Sequence, residues 1–299
     1  MDLLQKFASV EVKEDTRISE ADKDFCSINQ VAYDYARSAL TELKFFWEDI
    51  RNHQEALLSP IEKSSTLYLL DGYDLKISSG YINTQIMTAH VTFIDQIVRY
   101  FNNTYKISIS THDISASLLP KKPDSGRLWG DPKEQEAHEK AMLELSLKYT
   151  DILEQIFIRL DGRNLNEQAL HELLEKCHEA AWNRYGKKSE FTRKKAVLQF
   201  TGYACSYTAR YRYDSWSLSQ KIKDIFQGIA HFETGSFSKL PVSISSLIGA
   251  YDLKYDSYEF PSCQKLQSLK LYKNGRADIR FSSEEYARQF VETYLGQAC

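Results

Sequence analysis

Leu269-Lys270-Leu271-Tyr272-Lys273-Asn274-Gly275-Arg276-Ala277-Asp278-Ile279-Arg280-Phe281 reads as a β-hairpin that runs directly into a helix. Leu269 and Leu271 alternate with polar neighbours before the turn, and Ala277, Ile279 and Phe281 do so after it. That two-residue period marks a strand pair with one buried face. Asn274-Gly275 supplies the positive φ angles of a type I′ turn. Ser282-Ser283-Glu284-Glu285 then opens a helix, with Ser282 expected as N-cap and Glu285 at the reciprocal capping-box position.

Upstream, the pattern is mostly helical. The first twenty-five residues are acidic and weakly patterned, an arm or short edge element. A long helix is expected next, with Leu43, Phe46, Trp47 and Ile50 on one buried face, ending at Ser59-Pro60. A second, from about Ile82 to Phe101, carries Ile86, His90, Phe93, Ile94, Ile97 and Phe101 on one stripe, with Asp71-Gly72 as the turn between the two. Residues 120–132 hold three of the six prolines and two glycines, which neither a helix nor a central strand tolerates, so they read as a loop or linker anchored by Trp129.

Beyond it, Met142, Leu145, Tyr149, Ile152, Ile156 and Leu160 suggest one long helix closed by Asp161-Gly162. Asn166 is expected to cap the next, with Leu170, Leu173, Leu174, Cys177 and Ala181 inward and Gly186 at its end. Further helices are expected over Phe191–Arg212 and Leu218–Phe232, and a strand-like pattern over Tyr251–Tyr255. The whole reads as an α+β chain, predominantly helical, closed by a small antiparallel hairpin and a helix. Its expected organisation is an N-terminal helical region (1–119), the loop (120–132), a second helical region (133–235) and the C-terminal hairpin-helix unit (236–299).

Composition narrows the function. The chain has 299 residues, enough for one large domain or two ordinary ones. A net charge of −3 gives no overall attraction to nucleic acid or membrane. No run of eighteen apolar residues is present, and the N-terminus lacks the pattern of a secretory leader, so a cytoplasmic location is expected. Five cysteines, scattered singly, read as reduced thiols rather than a disulfide framework or zinc site. Nineteen tyrosines, fifteen phenylalanines and four tryptophans mildly favour a recognition protein.

No catalytic constellation stands out, and neither cofactor nor metal is expected. His171, Glu175 and His178 fall at i, i+4 and i+7, and Glu175 and His178 have the Glu-x-x-His spacing of di-iron bundles. No second such motif exists, so a solvated helix flank is the better account. His90, inside its apolar stripe, reads as a core histidine with a hydrogen-bond partner rather than a base. Pro123-Asp124 with Asp131-Pro132-Lys133 loosely mimics a nuclease core, but Pro132 and the glycines argue for a loop. The clearest nucleic-acid signal is the span 182–223, with a net charge of +8 from ten basic residues and two acidic ones, and with Tyr203, Tyr207, Tyr211, Tyr213 and Trp216 interleaved. Tyr203, Tyr207 and Tyr211, four residues apart, also fit the packing edge of a helix with the charges on its wet side, and packing or protein contact is the better account of the span than direct nucleic-acid contact.

The segment Lys270 to Phe281 resembles the closing hairpin of an uncharacterised domain carried by phages, plasmids and other mobile elements, joined in some members to a DNA methyltransferase. Ser79-Gly80-Tyr81 through Tyr100-Phe101-Asn102-Asn103-Thr104-Tyr105 to Ile114 is similar to that family's helical first half. The chain lacks a glycine-rich nucleotide loop and the Asp/Asn-Pro-Pro-aromatic motif, so methyltransferase activity does not carry over. In size and in its mixture of helices and a terminal hairpin it also resembles phage proteins that block the Gabija nuclease system, a fold-level analogy. These resemblances imply a non-enzymatic, oligomeric phage or mobile-element protein that covers a host anti-phage complex. The alternative is a nucleic-acid-binding accessory protein of a mobile element. Expected contact residues are Trp129, Arg210, Tyr211, Arg212, Tyr213 and Trp216, together with Lys273, Asn274 and Arg276 at the hairpin tip.

Overall fold

The structure is a computed structural model, and it describes residues 17–59, 78–123, 131–182, 188–209, 214–237 and 239–296. The chain is α+β and predominantly helical, and its C-terminal strands are followed by a helix. It divides into two compact units, residues 1–102 with 109–164, and residues 103–108 with 165–299. Both flanks of the proline-rich loop belong to the first unit. Trp129, Asp124, Asp71-Gly72, Gly186 and the first sixteen residues lie outside the described residues.

The first unit is helical: α1 (Glu20–Leu58), α2 (Ser79–Tyr105), α3 (Thr111–Leu118), α4 (Pro132–Glu144) and α5 (Tyr149–Arg159). Ser19 caps α1 in a capping box with Asp22, the Ser-x-x-Asp relative of the usual reciprocal pair. The stripe expected on α2 is buried from Ile82 through Phe101. Tyr33 of α1 stacks on Phe93 at 4.4 Å, and Phe25 stacks on Tyr100 at 3.8 Å. The face expected on α1 is corrected: Trp47 is buried, but Phe46 and Leu43 are exposed.

At the centre His90 is fully buried. Its Nε2 lies 2.8 Å from the Met142 carbonyl oxygen. A carbonyl can only accept, so the ring proton sits on Nε2 and Nδ1 is an acceptor. The Tyr33 hydroxyl therefore donates to Nδ1 at 2.8 Å, and its oxygen accepts from the Leu147 N–H at 3.2 Å. Burial lowers the His90 pKa from its ordinary value, as a neutral, satisfied core histidine requires.

The same contacts correct the expectation of one long helix through Leu160. The chain leaves helical geometry at Leu145 and re-enters at Tyr149. In between, Gln30 of α1 donates to the Leu147 carbonyl at 3.1 Å and accepts from the Tyr149 N–H at 2.7 Å. Side chains of α1 thus take over hydrogen bonds that a continuous helix would have made internally.

The second unit contains α6 (Leu165–Ala181), β1 (Phe191–Lys194), β2 (Val197–Phe200), β3 (Cys205–Ala209), β4 (Asp214–Leu218), α7 (Gln220–Thr234), α8 (Val242–Gly249), β5 (Ser257–Glu259), β6 (Leu266–Leu271), β7 (Ala277–Phe281) and α9 (Glu284–Phe290), which continues as a π turn over Val291–Leu295. Five antiparallel strands order as β1-β2-β7-β6-β5, and β3 pairs with β4 separately. Leu198, Ile279 and Leu269 form one buried row across three strands. The core continues through Ile222, Ile225, Phe226 and Ile229 of α7, and Phe232, Phe281 and Phe290 meet ring to ring.

The helix expected over Phe191–Arg212 is instead β1, β2 and β3, with Lys195 at φ +54° in the first hairpin turn. Pairing decides this: the sheet offers β2 a partner on each side, in β1 and β7, and β3 pairs with β4. Tyr251–Tyr255 is not a strand and makes only a bridge from Leu253 to Trp216. The expected helix at Leu218–Phe232 is present as α7, capped by Ser219 and closed by Gly235 in the left-handed region. Helix α6 begins at Leu165, so Asn166 is inside it rather than capping it.

Candidate interaction surfaces

The hairpin tip differs from a type I′ turn. Of its loop residues Gly275 alone has positive φ, at +83°. The Gly275 N–H donates to the Tyr272 carbonyl and the Tyr272 N–H to the Arg276 carbonyl, each at 2.9 Å. This is the three-residue loop in which a type I turn is followed by a left-handed glycine. The following helix is capped by Ser283, whose Oγ accepts from the Tyr286 N–H at 3.1 Å, one residue later than expected.

The turn is seated on the chain just before β3. The Ala204 N–H donates to the Gly275 carbonyl at 2.8 Å, and a Cβ at Gly275 would lie 3.4 Å from the Cys205 carbonyl oxygen. Lys273 Nζ stands 4.2 Å over the Tyr207 ring of β3, and Tyr207 pairs with Trp216 of β4. The Tyr207 hydroxyl beside Lys273 raises the ammonium pKa above its ordinary value. Two expected contact segments, the hairpin tip and the strands flanking residues 210–213, therefore come together.

The individual residues fare differently. Arg210, Tyr211, Arg212 and Tyr213 lie outside the described residues. Trp216 is corrected: at 5% exposure it is a core side chain that no partner reaches. Lys273 and Asn274 are exposed, and Asn274 Oδ1 accepts from the Arg276 N–H at 3.2 Å. Arg276 lies flat on Tyr272 at 3.9 Å, with Nε 3.0 Å from Asp278.

The basic span is partly neutralised. Lys221 pairs with Glu190 at 2.6 Å, Arg193 approaches Glu284 at 3.7 Å and Lys223 donates to the Ala250 carbonyl. Tyr203 is 88% exposed at a left-handed φ of +66°, whereas Tyr207 is half-buried under Lys273. Tyr203 and Tyr207 thus do not share a helix edge.

The other sequence candidates resolve into ordinary contacts. His171 lies 3.3 Å from Glu175, while His178 stacks on Trp182. No group of three metal-ligating side chains occurs among the described residues. Asp131 caps α4 through the Lys133 N–H, with Pro132 in the first turn, where its missing N–H costs nothing.

One surface escaped the sequence reading. Ile28, Val31, Tyr35, Phe45, Phe46 and Leu57 of α1 are each 64–75% exposed. At 3.6 residues per turn, Ile28, Val31, Tyr35, Phe46 and Leu57 fall on one stripe nearly opposite the buried Cys26, Tyr33 and Trp47. Asp24, Glu42 and Asp49, all exposed, lie among the stripe residues on the same face. The signal was present in the apolar spacing 28, 31, 35, but apolar residues at helical spacing do not say which of two faces turns inward.

No protein family, curated protein or solved structure matches this chain. No helix among the described residues is long and apolar enough to cross a membrane.

Proposed function

We propose that the chain works by protein–protein contact, as a phage or mobile-element protein that assembles into oligomers and covers a host anti-phage nuclease complex of the Gabija type. The observation that carries the binding role is the exposed apolar stripe of α1. Five large apolar side chains, Ile28, Val31, Tyr35, Phe46 and Leu57, stand 64–75% exposed along it. Occlusion of this kind uses buried area and no chemistry. The choice of a defence nuclease as partner rests on the fold-level resemblance, in size and in the mixture of helices and a terminal hairpin, to phage proteins that block the Gabija system.

The test is phage growth on cells carrying the nuclease system, with and without the chain. Expression should restore plaques, and Ile28→Ser/Tyr35→Ser/Phe46→Ser should abolish the rescue while leaving the circular dichroism spectrum unchanged. Rescue that survives the triple substitution refutes the α1 surface. Salt-sensitive DNA binding without protein capture would favour the nucleic-acid reading of the span 182–223.

A further inference from the structure

The second unit holds a cavity of about 380 Å³ between α6, α7 and α8, closed on one side by residues that follow α2. Its apolar wall is Leu173, Phe237, Leu240 and Ile248, and its charged groups are Lys106 and Lys176. No carboxylate lines it. Two nearby acids have hydrogen bonds of their own: Glu172 accepts through Oε1 from the Ser108 N–H and from Gln168, its Oε2 being buried without a partner among the described residues, and Asp224 accepts from Gln220. Asp224 stays within the electrostatic field of Lys176 but is not part of the lining.

Two further features make this more than a gap between helices. Lys106 has a left-handed φ of +60°, a strained conformation for a non-glycine residue, at the end of α2 where glycine or asparagine is the usual occupant. His231 lines the cavity with its ring fixed by Tyr294, whose hydroxyl lies 2.7 Å from Nδ1, and by Phe237 at 4.5 Å between ring centroids. Burial holds the Tyr294 phenol up at about 12, so it stays protonated and can donate to Nδ1. With Tyr294 as the donor, the neutral ring holds its proton on Nε2.

We infer that this cavity binds a small amphipathic carboxylate, its chain against the leucine, isoleucine and phenylalanine wall and its head group between Lys106, Lys176 and His231. At about 30 Å³ per water-sized group the volume holds about a dozen heavy atoms, the size of decanoate. The volume falls within the range of ordinary ligand pockets, about 300–1,000 Å³. Lys106 also complements the negative end of α2. Binding and stability must therefore be read separately.

The experiment is calorimetric titration of the full chain with sodium decanoate, decan-1-ol and inorganic phosphate, repeated on Lys106→Gln/Lys176→Gln. Both lysines are exposed, so the variant should fold, and circular dichroism checks this. Decanoate should bind at least tenfold more tightly than decanol, and the double substitution should weaken it at least tenfold. Phosphate alone should bind more weakly than decanoate, because it leaves the apolar wall unfilled. Absence of decanoate binding up to millimolar concentration, equal affinity for decanol, tighter binding of phosphate, or unchanged affinity in the double variant would each overturn the inference.

Discussion

Removing one oxygen atom, in Tyr33→Phe, should destabilise the first unit by about 2–6 kcal/mol. The phenyl ring keeps its stack on Phe93, so packing is nearly unchanged. What is lost is the hydroxyl that accepts from the Leu147 N–H and donates to His90 Nδ1. Leu147 and His90 are both buried, so water cannot replace it, and each orphaned group costs about 1–3 kcal/mol. The second prediction of the same geometry is coupling. His90→Leu removes Nδ1 together with the Nε2 donor to Met142, so Tyr33→Phe/His90→Leu should cost about 1–3 kcal/mol less than the two single changes summed. Urea unfolding followed by circular dichroism gives the free energies, and hydrogen exchange at the Leu147 amide reports the local loss. A cost below about 0.5 kcal/mol, with Leu147 still protected from exchange, would falsify the relay.

Two other predictions concern the second unit and the acid limb of stability. Gly228→Ala places a Cβ 2.5 Å from Cys177 Sγ and 3.5 Å from Phe290 and Tyr294. Overpacking of about 1–3 kcal/mol should outweigh the gain in helix propensity of up to about 1 kcal/mol, so thermal unfolding should show a lower Tm, against the usual trend for a helical glycine. His90 and His231 both have pKa values lowered by burial, with Lys265 adding to the shift of His231. The unfolded chain binds these protons first, so stability is fully present above about pH 6.5 and is lost as pH falls from there toward the folded-state values. His231→Asn, which can still accept from Tyr294, should flatten this loss in urea titrations between pH 7 and pH 5; an unchanged slope would remove His231 from the account.

Elements whose period and caps are local were legible in the residues alone. The stripe from Ile82 to Phe101 is a buried helix face because 3.6-residue spacing leaves one face for the core. The 269–281 hairpin followed by a helix could be read from its alternation and its glycine, although the turn type and the cap each differed in detail. His90 could be read as a core histidine because a polar group on an apolar stripe needs partners, but those partners are far away in sequence: Tyr33 and Met142. Packing between residues distant in sequence set the rest. Residues 191–200 become a strand pair because β7 offers β2 an open edge, residues 205–209 pair with β4, and the 145–148 break exists because Gln30 and Tyr33 replace helical hydrogen bonds. The same holds for surfaces: Phe46 and Trp47 are neighbours of similar hydrophobicity, yet one is exposed and the other buried. Local spacing fixes which residues share a face, and packing against distant residues fixes which face is covered.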